Sequence, residues 1–298
     1  MRALVTGGKG FVGSWLGAHL RDQGDEVRSI DHEVDVTDAA AVRTAVLDAA
    51  PEAVYHLAAL THVGESWSAP TAVLQVNAVG TLHVLEAARA LDPPPRVLLV
   101  SSAEVYGAVA EAELPVTEGA PLAPVTPYAA SKVAAEYLGV QAYLAHRLPV
   151  VRARPFNHVG PGQASGFVVP SLAERIVEAK RSGTRTVGVG NLSAQRDLTD
   201  VRDVVRAYRL LIEHGVPGET YNVCSGRAQS IRSVAERLLH LAGADLELVT
   251  DPELVRPVDV PIVRGDPSKL QAATGWSAGI GLDQTLRDVL SEWESRVP

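Results

Sequence analysis

A short apolar run, Ala3-Leu4-Val5-Thr6, leads into a turn with glycine at positions 7, 10 and 13 and then into a helical pattern from Trp15 to Gln23. No other stretch restricts the fold as strongly. The run reads as a buried strand, and the spacing G-x-x-G-x-x-G removes side chains where a strand-to-helix turn needs a tight bend, close backbone approach to a pyrophosphate and close helix packing. The unpaired N–H groups at the start of the helix are then available to phosphate oxygens. Beginning at residue 7, straight after a strand, this turn reads as a dinucleotide site rather than a bend of purely structural use.

The pattern then repeats. Glu26-Val27-Arg28-Ser29-Ile30-Asp31 reads as a second strand, with Asp31 at its end where a carboxylate binds adenosine ribose hydroxyls; this favours NAD(H), and Arg28 nearby leaves NADP(H) open. Asp35-Val36-Thr37-Asp38 forms a turn and helix cap, with Asp35 placed to approach an adenine edge. Ala39 to Ala50 continue as helix, Ala53 to Leu57 as strand, and the small pair Ala58-Ala59 leaves room for a cofactor. The loop 60–67 borders the expected site, and His62 in it is equally a loop histidine or a substrate contact. A helix bearing Gln75, Asn77, Gly80 and Thr81 to Ala90 precedes the apolar strand Arg96 to Val100. Strands alternating with helices from the start of the chain imply an α/β fold, a doubly wound parallel sheet of the Rossmann kind.

The fourth strand ends in Ser101-Ser102-Ala103-Glu104, at the sheet edge where such folds place ligands. Some twenty residues on, Thr126-Pro127-Tyr128-Ala129-Ala130-Ser131-Lys132 predicts a helix capped by Thr126, with Pro127 as its first residue. Tyr128 and Lys132, four apart, share a face; an ammonium beside a phenol lowers its pKa and makes it a usable acid or base near neutral pH. With seven Tyr and four Lys in the chain, the spacing alone arises in about one random sequence in ten, so its weight comes from the strand-end serine and the glycine turn before it.

Composition narrows the partners. With 298 residues and 46% hydrophobic content, a sizeable buried core is within reach, and a net charge of −8 without any basic run argues against nucleic acid. A lone cysteine, Cys224, excludes an internal disulfide or a Cys-rich metal site and fits a reducing compartment, with cytoplasm as the default. No apolar run reaches membrane-spanning length. In the second half, Pro149 to Arg154 reads as strand, 155–163 as a shaped loop rich in turn formers, Pro170 to Ser182 as helix and Thr186 to Val189 as strand. Arg196 to Asp203 reads as a charged helix start, and Glu219 to Cys224 as a strand that buries its cysteine. Helices near Ser230 to Ala242 and Leu282 to Trp293 close the chain.

Taken in order, Gly7 to Gly13, Asp31, Asn77 to Thr81, Ser102 and Tyr128 to Lys132 resemble the extended short-chain dehydrogenase/reductases that act on nucleotide-sugars. The run Arg154 to Gln163, with Gly166 to Pro170, Val189 to Leu192 and Arg196 to Asp203, is similar to the branch of GDP-4-keto-6-deoxy-mannose reductases and GDP-mannose 4,6-dehydratases. The resemblance implies a dinucleotide-binding domain over 1–155, with part of 190–225 returning to it, and a smaller, mostly substrate-binding α/β domain over 156–298. It implies catalysis by Ser102, Tyr128 and Lys132, with Glu104 a further candidate, and no metal. Cofactor contacts would come from Gly7, Gly10, Phe11, Val12, Gly13, Asp31, Asp35, Val36, Leu57, Ala58, Ala59, Asn77, Tyr128, Lys132 and Pro155. His62, Glu104, Asn157, Val168, Val169 and Asp259 would meet the sugar nucleotide, with Arg196 and Arg256 clamping its diphosphate; a planar guanidinium suits phosphate oxygens. Ala103, where dehydratases typically carry a proton-transferring group, favours a reductase over a dehydratase or 4-epimerase. A cofactor-sensing protein on the same fold is the non-enzymatic alternative, disfavoured because Ser102, Tyr128 and Lys132 are all present. A homodimer through the helices of 71–90 and 128–145 is also implied.

Overall fold

The computed structural model describes residues 1–254 and 260–296. In chain order the first half contributes β1 (Arg2–Thr6), α1 (Phe11–Asp22), β2 (Glu26–Ile30), α2 (Ala39–Ala49), β3 (Ala53–His56), α3 (Pro70–Leu74), α4 (Gly80–Arg89), β4 (Arg96–Val100), α5 (Pro127–His146) and β5 (Val150–Pro155). The second half adds β6 (Asn157–Val159), α6 (Val168–Ser182), β7 (Thr186–Val189), β8 (Gln195–Asp200), α7 (Val201–His214), β9 (Thr220–Val223), β10 (Ala228–Ser230), α8 (Ile231–Leu241), β11 (Glu247–Thr250), β12 (Ile262–Val263), α9 (Ser268–Thr274) and α10 (Leu282–Arg296). A π-helical segment, Gln75–Val79, joins α3 to α4.

Six strands pair in parallel in the order β2-β1-β3-β4-β5-β9. Their apolar runs are nearly continuous because helices cover both faces: α1, α7 and α9 pack on one side, and α2, α4 and α5 on the other. From β1 the chain steps to β2 on one flank, then crosses to β3 on the other. The connections therefore part at the carboxyl ends of β1 and β3, the crevice where open α/β sheets bind ligands.

Three elements of the second half, α7, β9 and α9, return to this sheet. The rest builds a separate core, in which Ile176 of α6, Leu238 of α8 and Leu286 of α10 are fully buried together. Two sequence expectations change here. Asn157 to Val159 is not loop but strand, paired in parallel with Leu198 to Asp200; a ladder partner about forty residues away overrides the local turn formers. Likewise, Gln195–Asp200 is strand, and the helix starts only after it, with the Asp200 side chain capping α7 by accepting from Arg202 N.

Helix α5 starts as its sequence predicts, with Thr126 Oγ1 accepting from Ala129 N at 3.0 Å and Pro127 in the first turn. It is tied to β5 by a buried fork: Arg154 donates to both carboxylate oxygens of Glu136, at 2.8 and 2.7 Å. Arg154 also donates to the Tyr106 hydroxyl, which donates in turn to Asn222 Oδ1 on β9. Truncating Glu136 to Ala strands a buried guanidinium, a change that costs about 3–5 kcal/mol. Urea unfolding is expected to show that loss, and the double replacement Glu136→Leu, Arg154→Met is expected to recover most of it; equal stability of Glu136→Ala and wild type would remove the pair from the account of stability.

Candidate active site

A cavity of about 650 Å³ runs along the carboxyl ends of the main sheet. Its cradle admits no side chains. Gly7 has φ +69°, and a Cβ there would lie 2.9 Å from Ala58 N; at Gly13 a Cβ would fall 2.1 Å from the Gly7 carbonyl oxygen. Gly10 stands at the N-cap of α1 and supplies no side-chain cap, so the first-turn N–H groups keep their capacity for a ligand. A backbone-lined turn, an uncapped helix start and an acid at the end of β2 together fit a nicotinamide dinucleotide.

Gly7, Gly10, Phe11, Val12, Gly13, Asp31, Asp35, Val36, Leu57, Ala58, Ala59, Tyr128, Lys132 and Pro155 all border the cavity. The Asp35 carboxylate, however, is turned to its own loop, accepting from Thr37 N and Thr37 Oγ1 at 2.9 and 2.8 Å. Asn77 is absent from the cavity wall. Its amide is spent on both backbone groups of Leu60 and on Ser131 Oγ, so it ties the loop after β3 to α5. Beneath the cradle runs a buried chain that the sequence did not signal. Thr6 Oγ1 meets His56 Nδ1 at 2.8 Å, His56 Nε2 meets Thr81 Oγ1 at 3.0 Å, and Thr81 donates to the Asn77 carbonyl. Burial holds the His56 imidazole neutral and pushes its pKa down to about 3.

Ser102 N-caps the short 3-10 turn Ala103–Tyr106, accepting from Glu104 N, and its side chain lies close enough to the Tyr128 hydroxyl to favour the phenolate. Burial pushes Tyr128 up to about 12, Ser102 opposing this and the Glu104 charge adding to it. That corrects the expectation that Lys132 lowers the phenol. The Lys132 Nζ donates to the Val100 carbonyl at 2.9 Å, and its own burial brings its pKa down to about 8 against the attraction of Glu136. Ala103 is buried beside this set and carries no ionisable group.

The residues expected at the substrate divide. Glu104 and Asn157 border the cavity. His62 does not: its ring lies against Phe167, and a Cβ on Gly166 would come within 2.6 Å of its Nε2. Val169 is buried in the second core, whereas Val168 opens α6, whose N-cap Phe167 supplies no side-chain cap. Arg196 is on β8, donating to the carbonyls of Gln195 and Val260 at 2.9 and 2.8 Å, away from the cavity wall. Arg256 and Asp259 lie outside the described residues.

Several cavity residues were missed. His158 stacks on Phe11, its Nδ1 donating to the Phe156 carbonyl, and Gln163 donates to the carbonyl of His158. Both sit in the turn-rich run that was read as loop, where a His and a Gln among glycines and prolines were the available signal. Tyr208 reaches the cavity from α7, and nothing local in the sequence marks a residue that arrives by topology.

A doubly wound parallel sheet with a glycine-turn cavity and a Ser-Tyr-Lys set at the end of its fourth strand defines an extended short-chain dehydrogenase/reductase, an oxidoreductase that uses a nicotinamide cofactor. A family model described as GDP-mannose 4,6 dehydratase matches residues 30–289. The chain is 41% identical to the GDP-6-deoxy-D-mannose reductase of Pseudomonas aeruginosa, over 99% of this chain and 98% of that protein. It is 32% identical to the GDP-6-deoxy-D-talose 4-dehydrogenase of Aggregatibacter actinomycetemcomitans, over 92% of each chain. Among solved structures, the P. aeruginosa protein RMD complexed with NADPH superposes with a TM-score of 0.91 at 40% identity, covering 100% of both chains. The UDP-glucose 4-epimerase of Thermus thermophilus with NAD does so with a TM-score of 0.88 at 31% identity, again over 100% of both. The chain belongs to the GDP-mannose 4,6-dehydratase family. No helix of the described residues is long and apolar enough to cross a membrane.

The buried His56 sets an acid sensitivity. Its folded pKa, about 3, lies below its ordinary 6.5, so between these values the unfolded chain binds a proton that the folded chain refuses. Stability is therefore complete above about pH 6.5 and falls as the pH drops, by up to about 1.4 kcal/mol per pH unit. Thermal midpoints taken from pH 6.5 to 4 are expected to fall less steeply in His56→Gln than in wild type; parallel slopes would show that His56 titrates normally.

Proposed function

We propose that the protein reduces the C4 ketone of a GDP-4-keto-6-deoxy-hexose with NAD(P)H, forming a GDP-6-deoxy-D-mannose-type product. The observation that carries the reading is the turn Ser102-Ala103-Glu104 against Tyr128. Reduction needs one proton delivered to the developing alkoxide, and a phenol held at about 12 remains protonated to deliver it. Dehydration needs in addition a base for C5 and an acid for the C6 hydroxyl. Ala103 supplies neither, and of the three turn residues on the cavity wall Glu104 is the one with an ionisable side chain. Similarity to the P. aeruginosa GDP-6-deoxy-D-mannose reductase supports the same choice.

The glycine turn and the first turn of α1 hold the pyrophosphate, Asp31 the adenosine ribose, and Leu57 to Ala59 with Pro155 the remaining walls. When bound, a reduced nicotinamide supplies hydride. Tyr128 donates its proton to the C4 oxygen, Ser102 polarises that oxygen, and Lys132 would hold the nicotinamide ribose. Asn157 and the uncapped start of α6, at Val168 and Val169, face the sugar nucleotide, and Arg196 with Arg256, the latter outside the described residues, would clamp its diphosphate. Asp31 favours NADH. On this reading residues 1–155, with α7 and β9, serve the dinucleotide, and 156–298 mostly serve the sugar nucleotide.

The single cysteine, buried and unpaired, supports a reducing, cytoplasmic setting. Leu74 on α3, with Tyr137 and Leu144 on α5, are exposed apolar side chains on neighbouring helices, which supports a homodimer through this face. Light scattering is expected to give twice the chain mass, and substituting Leu144→Asp to shift it toward the monomer.

Loss of nicotinamide absorbance on adding GDP-4-keto-6-deoxy-mannose tests the reaction. Tyr128→Phe is expected to lose turnover by at least about a thousandfold while still binding the dinucleotide; a fully active variant would sink the mechanism. Conversion of GDP-mannose to a 4-keto product without net cofactor change would install the dehydratase instead. Because Lys132 loses its proton near pH 8, kcat/KM is expected to fall as pH rises through that value, and the limb to vanish from the residual activity of Lys132→Met.

A further inference from the structure

The adenosine-ribose end of the cavity carries a charge arrangement that the proposed reaction leaves unexplained. Gly8 brings the glycine turn onto the end of β2: its N–H donates to the Ile30 carbonyl at 3.1 Å, and a Cβ on it would lie 2.5 Å from Ser29 Cβ. Lys9 is thereby carried to Asp31, whose Oδ2 accepts from Lys9 N at 2.8 Å. The Lys9 side chain then turns to Glu33, with Nζ to Oε2 at 2.8 Å, while the other oxygen of Glu33 accepts from Asp31 N at 3.1 Å. The hydrogen bond with Glu33 raises Lys9 above its ordinary pKa and holds Glu33 below its own. Near this corner are also His32, exposed and with Nε2 3.2 Å from Asp31 Oδ1, and the exposed Arg28.

A ribose with a free 2'-hydroxyl can donate to the Asp31 carboxylate. A 2'-phosphate at the same place brings a second anion against Asp31 and Glu33, and the Lys9 ammonium, carried to the edge of this corner by its backbone bond to Asp31, is already engaged by Glu33. We propose that Glu33 sets the cofactor preference of this chain by holding Lys9 away from a 2'-phosphate, so that NADH is selected over NADPH. The inference rests on the reading that the cavity takes a nicotinamide dinucleotide.

Titration calorimetry with NADH and NADPH at low ionic strength, where exposed ion pairs are least screened, tests it on wild type, Glu33→Gln, Lys9→Met and the double variant, with 2'-AMP as a probe of the phosphate alone. Wild type is expected to bind NADH at least about tenfold tighter than NADPH, the scale of one charged hydrogen bond. In Glu33→Gln the freed ammonium is expected to move the ratio about tenfold toward NADPH and to tighten 2'-AMP in step, and adding Lys9→Met to cancel both gains. A wild type that prefers NADPH, a ratio unmoved by Glu33→Gln, or a gain that survives loss of Lys9 overturns the inference while leaving the dinucleotide reading intact. Failure of either dinucleotide to bind wild type overturns that reading and this inference with it.

Discussion

The close approach of two backbone turns at the carboxyl ends of β1 and β3 is the constraint on which the rest depends. Gly7 passes so near Ala58, and Gly13 so near the Gly7 carbonyl, that one added carbon at either position meets backbone. A parallel sheet puts the ends of all its strands on one side, and a crossover on each flank of β1 opens a crevice there. The absence of side chains turns that crevice into a surface of N–H groups. Holding it in shape falls to polar groups underneath: Thr6 Oγ1 accepts from Leu57 N and Ala58 N and also meets His56, which reaches Thr81. A neutral imidazole suits this place because it joins two hydroxyls without a buried charge.

The same balance between desolvation and polar partners governs α5. Its buried face carries Tyr128, Lys132 and Glu136, three ionisable groups on successive turns. Glu136 is matched by Arg154 through a two-point hydrogen bond, which satisfies the carboxylate in full. Among the described residues Lys132 has the Val100 carbonyl and the more distant Glu136 to offset its burial, so its proton is held loosely. Tyr128 keeps its proton tightly. The helix therefore presents a firmly protonated acid beside a weakly held cation, and the well-matched ion pair one turn on provides the rigidity.

How much of this was legible follows from how local each cause is. The glycine turn, the cap at Thr126 and Pro127, the strand-end serine and the alternation of strands and helices act within a few residues, and each is found where the sequence puts it. β6 and β8 pair only with each other or with distant strands, so turn formers and charges concealed them. His62 and Asn77 lie at sequence positions beside the cavity, but a phenylalanine contact claims the first and the Leu60 backbone the second. Tyr208 arrives from a helix whose return to the first sheet is a property of the topology. The depression of the Tyr128 pKa expected from its lysine neighbour failed for a related reason: spacing gives the distance along a helix, while burial decides which charge state is tolerated.

Glu104 extends the same balance to the cavity wall beside Ser102. Its carboxylate stands close enough to raise Tyr128 further, in the same sense as burial. An enzyme that begins by oxidising a sugar hydroxyl needs the tyrosine as a base, and for that purpose an anion beside the phenol works against catalysis near neutral pH. An enzyme that only reduces a ketone needs the phenol protonated on arrival, a state the anion preserves while making the phenol a weaker acid. Ala103 leaves the turn without a second proton-transferring group and Glu104 keeps the Tyr128 phenol in its protonated form, so both residues after Ser102 fit a site whose tyrosine meets the substrate as a neutral phenol.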